Sequence, residues 1–366
     1  MLSQRRWHTR FFRSSLPALG TPRGRCAGQQ VPEAKCQKPR AAPEAFCRAS
    51  PLQDTLDTST ALTSRRRMLL ISAAALAMLP LPGQAAMTDV PAAEVQLDLA
   101  PDQAKYDPDD MELRAAAQLL QEGLAAPDVV REEAVWTQII DTYGGLQRPW
   151  VPDVVGRAWG NRGNARSRQG KLAEALEDYN TSIALCPYSP DPVLNRGVVL
   201  EALGRFPEAV ADYQAVLRAT PADPAAWNNL GNASAGMGQW QEALAYYSKA
   251  VELAPGFSFA SANRALALYQ LGQAEQAIRE MRNLLRRYSS FTDMRAALAA
   301  ALWGAGLEGQ AEIQWERVDD ARYRDRDWLK SERRWPPSLV ANLEAFLDLK
   351  SVNGQLPHIE SDNRLK

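Results

Sequence analysis

The apolar residues of this chain follow the three- and four-residue spacing of amphipathic helices. The first such stretch, Met111–Tyr143, contains two apolar stripes, one of Leu113, Leu119, Leu120 and Leu124 and one of Val135, Ile139 and Ile140. These spacings place the side chains of each stripe on one side of a helix. Because no segment alternates apolar and polar residues over a useful length, we predict an all-α protein without a β-sheet.

The segments that follow are copies of one another with a period of 34 residues, marked by Pro187, Pro221 and Pro255. Each copy has a small residue in its first helix (Gly163, Gly197, Gly231, Ala265), a glycine that ends this helix (Gly170, Gly204, Gly238, Gly272), an alanine in its second helix (Ala175, Ala209, Ala243, Ala277) and a large residue four positions later (Tyr179, Tyr213, Tyr247, Met281). Small residues allow two helices to approach closely, glycine suits a left-handed helix end, and proline ends the second helix. Such a fixed period is typical of a helical repeat array rather than of a catalytic globule.

This pattern resembles the tetratricopeptide repeat (TPR) family. The resemblance implies an α-α solenoid, a right-handed superhelix of antiparallel helix pairs with a concave and a convex face. The array spans 156–318, with clear repeats at 156–187, 190–221, 224–255 and 258–289 and a degenerate repeat at 292–318.

The ends of the array are expected to be capped. We interpret residues 111–155 as a degenerate helix pair or N-terminal cap. Residues 319–350 form a C-terminal extension, whose capping helix over Ser338–Leu349 would cover the open apolar side of the last repeat. We expect residues 87–110 to be a disordered linker and residues 351–366 to be a disordered tail.

The first 86 residues have the composition of targeting signals. Residues 1–32 contain six arginines and no acidic residue, which is typical of an organelle transit peptide, and we assign this peptide to residues 1–63. Residues 64–86 contain Arg65–Arg67, the apolar run Leu69–Leu81 and small residues for cleavage after Ala85 or Ala86. The apolar run is too short to cross a membrane comfortably, so we expect no stable span in the mature protein.

A transit peptide followed by a signal peptide resembles the presequence of plastid proteins that are sent to the thylakoid lumen. Arg65–Arg67 resemble a twin-arginine export signal, although any positively charged signal-peptide start would show the same residues. The sequences AWGNRGNARSRQG, DPVLNRG, PAAWNNLGNA and RRWPPSL also resemble plastid TPR proteins of plants and algae in the thylakoid lumen, over Met111–Leu349. This resemblance implies a location in the chloroplast thylakoid lumen and an interaction role.

Removal of the presequence changes the charge of the chain. The full chain carries 42 Lys and Arg against 43 Asp and Glu, whereas residues 1–86 carry 13 and 4 of them. The mature protein therefore has a net charge near −10. Nucleic-acid binding requires a basic face, so we expect no nucleic-acid partner.

Candidate catalytic and metal-binding residues are scarce in the mature sequence. His358 is the single histidine and Cys186 the single cysteine after residue 86, so neither a zinc site nor an internal disulfide is expected. The aspartates between Asp319 and Asp327 alternate with arginines and lack the spacing of a calcium loop, which favours a salt-bridged segment over a cation site. We predict a non-enzymatic protein without catalytic residues, metal or cofactor.

One asparagine recurs at the sixth position of every clear repeat: Asn161, Asn195, Asn229 and Asn263. In TPR proteins the first helix of each repeat lines the concave groove, and by resemblance an asparagine at this position holds the backbone of a bound peptide. An amide can donate and accept hydrogen bonds, so a ladder of amides can hold an extended segment without reading its side chains. Alternatively, the asparagine belongs to the repeat consensus and bonds to a neighbouring repeat.

Other groove positions complete the predicted partner-binding set: Asn164, Asn228, Asn232, Arg157, Arg168 and Tyr269. They predict a groove that is cationic at the first repeat and more apolar at the fourth, which suits a segment with an acidic end and an apolar end. The lysine-rich clamp of TPR domains that capture EEVD-type tails is absent. Arginines at the seventh position are open to two interpretations, a role at the groove rim or a structural role: Arg162, Arg196 and Arg264.

The C-terminal extension is a second candidate surface, since Trp328 and Trp335 lie among charged residues and such tryptophans often anchor interfaces. The alternative is that both tryptophans pack on the last repeat. The expected partners are proteins or extended peptide segments, notably thylakoid proteins, and exposed end repeats also permit self-association. The expected role is a scaffold or assembly factor for a photosynthetic complex, and the alternatives are a permanent structural subunit of a thylakoid complex or a stromal or mitochondrial adaptor.

Overall fold

The computed structural model describes residue 90 and residues 92–353. In this part of the chain every regular element is a helix, so the predicted all-α fold is confirmed. The described residues divide into two compact units, one comprising Pro101–Asp178 (unit 1) and one comprising Ala92–Ala100 with 179–353 (unit 2). The predicted targeting signals and residues 354–366 lie outside the described residues.

Unit 1 contains helices α1 (Met111–Leu124), α2 (Val129–Tyr143) and α3 (Val151–Arg168) and the first half of α4 (Leu172–Leu185). Aspartates cap the first two helices: Asp110 accepts hydrogen bonds from the backbone N–H groups of Glu112 and Leu113, and Asp128 accepts one from Arg131. Such caps satisfy N–H groups that lack partners within the helix. Helices α1 and α2 thus cover the segment in which two apolar stripes were recognised.

Helix α3 begins at Val151, whereas the first repeat was assigned a start at residue 156. A proline in the first turn, Pro152, is compatible with a helix start because the missing N–H has no partner there. Val151, Val154 and Val155 are buried and extend the apolar side of the helix towards its N-terminus. The first helix of this repeat is therefore longer than those of the later repeats.

Unit 2 continues the helix pairs from the second half of α4. Its helices are α5 (Pro190–Ala202), α6 (Phe206–Ala219), α7 (Pro224–Gly236), α8 (Trp240–Leu253), α9 (Ser258–Gln270), α10 (Ala274–Arg287), α11 (Thr292–Gly304), α12 (Glu308–Trp315), α13 (Arg326–Ser331) and α14 (Pro337–Asn353). Helices α5, α7, α9 and α11 are first helices of repeats, and each packs against the second helix that follows it.

The repeated small residues have the packing role that their spacing predicted. A Cβ atom added to Gly197 would lie 2.6 Å from Cε1 of Tyr213, and one added to Gly231 would lie 2.6 Å from Cε1 of Tyr247. These distances are too short for a side chain, so the tyrosine ring of the second helix occupies the space above the glycine. The predicted helix-ending glycines all have left-handed backbone, with φ between 75° and 79°: Gly170, Gly204, Gly238 and Gly272.

The segment before α1 differs from the prediction of a disordered linker over residues 87–110. Its described residues contain short 3-10 helices at Leu97–Leu99 and Gln103–Lys105. Within unit 2, the backbone N–H of Gln96 donates to the carbonyl oxygen of Pro187 at 2.9 Å, and within unit 1, the amide of Gln103 donates to Asp153 at 2.9 Å. These hydrogen bonds order residues that were expected to be disordered.

The predicted capping helix is present as α14, which begins one residue earlier and extends to Asn353, into the segment predicted as a disordered tail. It packs mainly against α11 and also against α9. Leu339, Leu343 and Phe346 are almost fully buried, as their spacing on one face predicted. The helix therefore lies on first helices of two repeats.

Candidate protein-binding face

The first helices of the repeats present the predicted partner-binding residues. We call the surface that these helices form within each unit its first-helix face, made by α3 in unit 1 and by α5, α7, α9 and α11 in unit 2. The four asparagines at the sixth repeat position are half-buried on this face: Asn161, Asn195, Asn229 and Asn263. Their amides thus lie near the surface within packed helices.

In unit 1 the predicted polar and cationic residues contact one another and nearby carboxylates. Asn164 donates from Nδ2 to Oδ1 of Asn161 at 3.4 Å. Arg157 donates to Asp153 at 2.8 Å, and Arg168 forms an ion pair with Glu132. Because carboxylates balance both arginines, the first repeat has a weaker cationic character than the sequence predicted.

In unit 2 four asparagines form a connected network, which we call the asparagine cluster: Asn228, Asn229, Asn232 and Asn263. Asn263 donates from Nδ2 to Oδ1 of Asn228 and to Oδ1 of Asn232, both at 3.1 Å. Asn228 donates to Oδ1 of Asn229 at 3.3 Å. The network therefore joins the first helices of the third and fourth repeats.

The second helix of the third repeat fixes one end of this cluster. The hydroxyl of Tyr247 donates to Oδ1 of Asn232 at 3.0 Å, and Tyr247 is itself buried. Asn263 thus makes the bond to a neighbouring repeat that was the structural alternative for these asparagines. This bond also orients the amides of a surface that remains half-exposed at Asn229 and Asn232.

The arginines at the seventh repeat position have a structural role. Arg162 forms two hydrogen bonds with Asp178 in unit 1, and Arg196 forms two with Asp212 in unit 2. Arg264 pairs with Glu280 at 3.0 Å. Each pair joins the two helices of one repeat, and Arg162 and Arg196 are buried, so neither reaches a groove rim.

Two residues predicted to contact partners are buried where the C-terminal extension meets the repeats. Tyr269 is only 8% exposed, and its hydroxyl accepts a hydrogen bond from Nδ2 of Asn342 in α14 at 2.6 Å. Trp335 is 3% exposed and donates from Nε1 to Asp293 at 3.1 Å. The part of the fourth repeat around Tyr269 is therefore not open, because α14 lies on it.

Trp328, the second tryptophan of the extension, is half-buried. Its ring packs edge-on against Tyr323, with the ring centroids 5.2 Å apart, and the guanidinium of Arg322 lies 5.2 Å from the ring centroid. These contacts are within the extension, whereas Trp335 joins the extension to Asp293 of α11.

Sequence reasoning missed two carboxylates of the first-helix face that hold the extension, Glu201 in α5 and Asp293 in α11. Asp293 is 2% exposed and accepts hydrogen bonds from Tyr323, Arg333 and Trp335. Glu201 is 9% exposed and accepts from Tyr213 and Arg334. Burial raises the pKa of Glu201, and the opposing effects of Arg334 and Tyr213 are smaller.

Signals for these two residues were weak. Glu201 lies three residues after Val198 and six after Asn195, which places all three on one side of α5. Asp293 lies in the first turn of α11, where acidic residues are common, so it did not stand out from its neighbours.

Two features of the described residues bear on other functions. No group of three or more His, Cys, Asp and Glu residues among them could hold a metal ion. None of the helices within this part of the chain combines the length and hydrophobicity that a membrane span requires.

Parts of this chain are similar to several solved repeat structures. No curated protein sequence matches it significantly. A tetratricopeptide repeat protein from Parabacteroides merdae ATCC 43184 is 18% identical, with a TM-score of 0.49 over 68% of this chain and 95% of that chain. The Cut9–Hcn1 hetero-tetramer of the APC/C is 16% identical, with a TM-score of 0.49 over 58% of this chain and 42% of that chain.

A third structure, YrrB, described as a TPR protein with an unusual peptide-binding site, is 18% identical, with a TM-score of 0.39 over 54% of this chain and 97% of that chain. Sequence models of one protein family also match this chain. Three models of the tetratricopeptide repeat match at 156–189, 194–256 and 263–290. These stretches, which make up less than half of the chain, fall on the helix pairs α3–α4, α5–α6, α7–α8 and α9–α10, and they are similar to tetratricopeptide repeats.

Proposed function

We propose that this chain is a non-enzymatic protein–protein interaction scaffold that binds extended peptide segments on its first-helix face. We further propose that it acts in the thylakoid lumen, in the assembly or maintenance of a photosynthetic complex. The asparagine cluster of unit 2 is the observation that carries the binding proposal. Tetratricopeptide repeats are typically interaction modules without enzymatic activity, which agrees with this role.

The asparagine cluster has the chemistry that backbone recognition needs. An extended peptide presents one N–H and one C=O per residue, and each must find a partner when it leaves water. Amide side chains supply both donors and acceptors. Since Asn228, Asn232 and Asn263 hold one another in place, less side-chain freedom is lost when a peptide binds.

Apolar side chains flank the cluster on the same face of unit 2. Val198 in α5 is 42% exposed and Phe259 in α9 is 37% exposed. The ring of Phe259 is supported edge-on by Phe257 and Phe291, with centroid distances of 6.4 and 6.0 Å. A bound segment would therefore contact amides along its backbone and apolar side chains at two points.

The location rests on the first 86 residues of the sequence. An acid-free, arginine-rich start followed by Arg65–Arg67 and an apolar run supports two successive targeting steps. N-terminal sequencing of the protein from fractionated plastids tests this proposal. A start at Ala86 or Met87 in the lumenal fraction supports it, whereas a start before Arg65, or recovery from the stroma, contradicts it.

The binding proposal is tested by cross-linking the full chain to thylakoid lumenal polypeptides and comparing three forms: the wild type, the double variant Asn229→Ala/Asn263→Ala and the control Asn283→Ala. Asn283 is an exposed asparagine of α10, on a second helix. We expect the double variant to lose at least tenfold of the cross-linked product and the control to retain it. Equal cross-linking by all three forms, or none by the wild type, contradicts peptide binding at the cluster.

The same preparation distinguishes an assembly factor from a permanent subunit. Substoichiometric, transient association with a thylakoid complex supports an assembly role. Co-migration with one complex at fixed stoichiometry, through a surface other than the cluster, would instead identify a structural subunit.

A further inference from the structure

The segment between α13 and α14, together with the first turn of α14, crosses the first-helix face of unit 2. Arg333 and Trp335 reach Asp293 in α11, Ser338 reaches Gln270 in α9, and Arg334 reaches Glu201 in α5. Arg334 and Glu201 are 133 residues apart in sequence. The chain therefore places its own arginine on the face that the proposed function assigns to partners.

Glu201 and its neighbours form a pocket shaped for a guanidinium group. Arg334 donates from Nη1 to Oε1 of Glu201 at 2.5 Å and from Nη2 to the backbone carbonyl oxygen of Glu201 at 3.0 Å. The guanidinium carbon lies 5.8 Å from the ring centroid of Phe206. Two acceptors at the end of a helix and an aromatic ring are the contacts that arginine recognition uses.

The walls of this pocket are rigid parts of the repeats. Tyr213 donates from its hydroxyl to Oε2 of Glu201 at 3.1 Å and is fully buried. The ring of Phe206 packs against Gly236 so closely that an added Cβ would lie 2.5 Å from Cε1. The pocket therefore belongs to α5, α6 and α7, whereas only the arginine comes from the extension.

The side chain of Arg334 is more exposed than those of its two neighbours in the extension. Arg334 is 35% exposed in the ion pair, whereas Arg333 is 25% exposed and Trp335 is 3% exposed. The backbone of Arg334 has φ 51°, and Arg334 is the one residue other than glycine with positive φ among the residues that the structure describes. A left-handed backbone is unfavourable for arginine, so the contacts with Glu201 act against local strain.

Release of Arg334 does not require release of the extension. Arg333 and Trp335 are bound to Asp293, which also accepts a hydrogen bond from Tyr323. The side chain between these two anchors can therefore turn towards solvent while the chain on either side stays in place. An empty pocket would leave Glu201 buried with Tyr213 as its donor in this pocket, a state that favours another cation.

We propose that the pocket around Glu201 is an arginine-binding subsite of the first-helix face, filled by Arg334 until a partner segment that carries an arginine replaces it. The subsite lies on the same side of α5 as Asn195 and Val198, at three-residue spacing along the helix. A bound segment can thus contact these residues and the subsite together. The partner segment in this inference rests on the proposed function, whereas the chemistry of the pocket does not.

The test uses N-acetyl-arginine methylamide as the probe and the thermal midpoint of the full chain as the readout. In Arg334→Ala the pocket is empty, and we expect probe at ten times its dissociation constant to raise the midpoint by about 3 °C. The wild type should show a smaller rise because Arg334 competes. The citrulline analogue, which is neutral and of the same shape, should have no effect.

The matched variant Arg334→Ala/Glu201→Gln removes the carboxylate and should not respond to the probe. Equal responses of both variants, or none in a folded Arg334→Ala chain, overturn the subsite. If Arg334→Ala does not fold alone, recovery of its helical circular dichroism by the arginine probe but not by the citrulline probe supports the subsite, and no recovery overturns it. Loss of cross-linking at the asparagine cluster leaves these outcomes unchanged, so the two proposals fail separately.

Discussion

Arg196 and Asp212 form a fully buried, two-pronged ion pair between the first and second helices of the second repeat. Nε of Arg196 donates to Oδ2 of Asp212 at 2.9 Å, and Nη2 donates to Oδ1 at 2.7 Å. Nη1 of Arg196 also donates to Oδ1 of Asn180 in the preceding helix at 2.7 Å. The arginine therefore joins two helices of its own repeat and a third helix beside it.

The same two repeat positions carry an Arg–Asp pair in the first repeat and an Arg–Glu pair in the fourth. In the third repeat they carry Leu230 and Tyr246 instead. Equivalent positions of the repeats thus hold an ion pair in three repeats and a pair of uncharged side chains in another. A buried ion pair often contributes little more than an apolar pair, but a single unpaired charge is costly.

We therefore expect Asp212→Asn to lower the free energy of unfolding by about 3–5 kcal/mol, because Arg196 keeps its charge in a buried place without its carboxylate. The double variant Arg196→Leu/Asp212→Tyr, which copies the third repeat, should remain within about 1.5 kcal/mol of the wild type. Urea unfolding followed by circular dichroism measures both.

The control for this pair is Arg279→Ala. Arg279 contacts Glu275 at 3.6 Å, and both side chains are largely exposed, so less than about 0.5 kcal/mol should be lost. A double variant that is as unstable as Asp212→Asn would show that the ion pair itself, rather than the avoidance of an unpaired charge, stabilises the repeat.

Gly197→Ala should destabilise the second repeat by about 1–3 kcal/mol, because its Cβ would lie 2.6 Å from the buried ring of Tyr213. Gly256→Ala is the matched change: no heavy atom lies within 4 Å of its added Cβ. It should be neutral or stabilise by about 0.5 kcal/mol through the unfolded state. Thermal unfolding of the two variants compares them, and equal effects would exclude close helix packing as the reason for Gly197.

The packing within each repeat could be predicted from the sequence because the same residues recur in every copy. The close approach of Gly197 to Tyr213 and the left-handed backbone of Gly204 both have equivalents at fixed intervals along the chain. The pairing of Arg196 with Asp212 was present in the same repeats, since the residues change together to Leu230 and Tyr246. The two residues of this pair lie in different helices of one repeat, so the pattern within a single helix does not reveal the pairing.

The contact between Arg334 and Glu201 had no such signal. The extension occurs once in the chain, so no second copy shows which of its residues approach the repeats. Its partner is 133 residues away and is set by how the helices stack. For the same reason, the cover over Tyr269 and the burial of Trp335 could not be read from the spacing of their neighbours.

The lowered pKa of Glu133 in unit 1 predicts how the free energy of unfolding depends on pH. Burial alone would raise the pKa of Glu133, but hydrogen bonds from Lys171, Arg166 and Gln169 outweigh it and lower the pKa to about 2 from an ordinary value of 4.5. A lowered pKa in the folded state contributes stability above the unfolded value, and this contribution is lost as the pH falls from about 4.5 to about 2.

The variant Glu133→Gln should therefore be less stable than the wild type by about 1 kcal/mol at pH 7, a value that allows for partial exposure of these charges. The difference should shrink below pH 4.5 and vanish near pH 2. Urea midpoints measured between these pH values test the prediction. A difference that is constant with pH would mean that the charge of Glu133 does not contribute.

Asp293→Ala should detach the C-terminal extension from the repeats, because it removes the acceptor shared by Tyr323, Arg333 and Trp335. Trypsin cleaves after Arg333 when the surrounding residues open, so limited proteolysis at this bond should be at least tenfold faster than in the wild type. Asp319→Ala is the control, since Asp319 is an exposed aspartate before the same extension, and its cleavage rate should not change. An unchanged rate in Asp293→Ala would show instead that the apolar contacts of α14, through Leu339 and Phe346, hold the extension without the carboxylate.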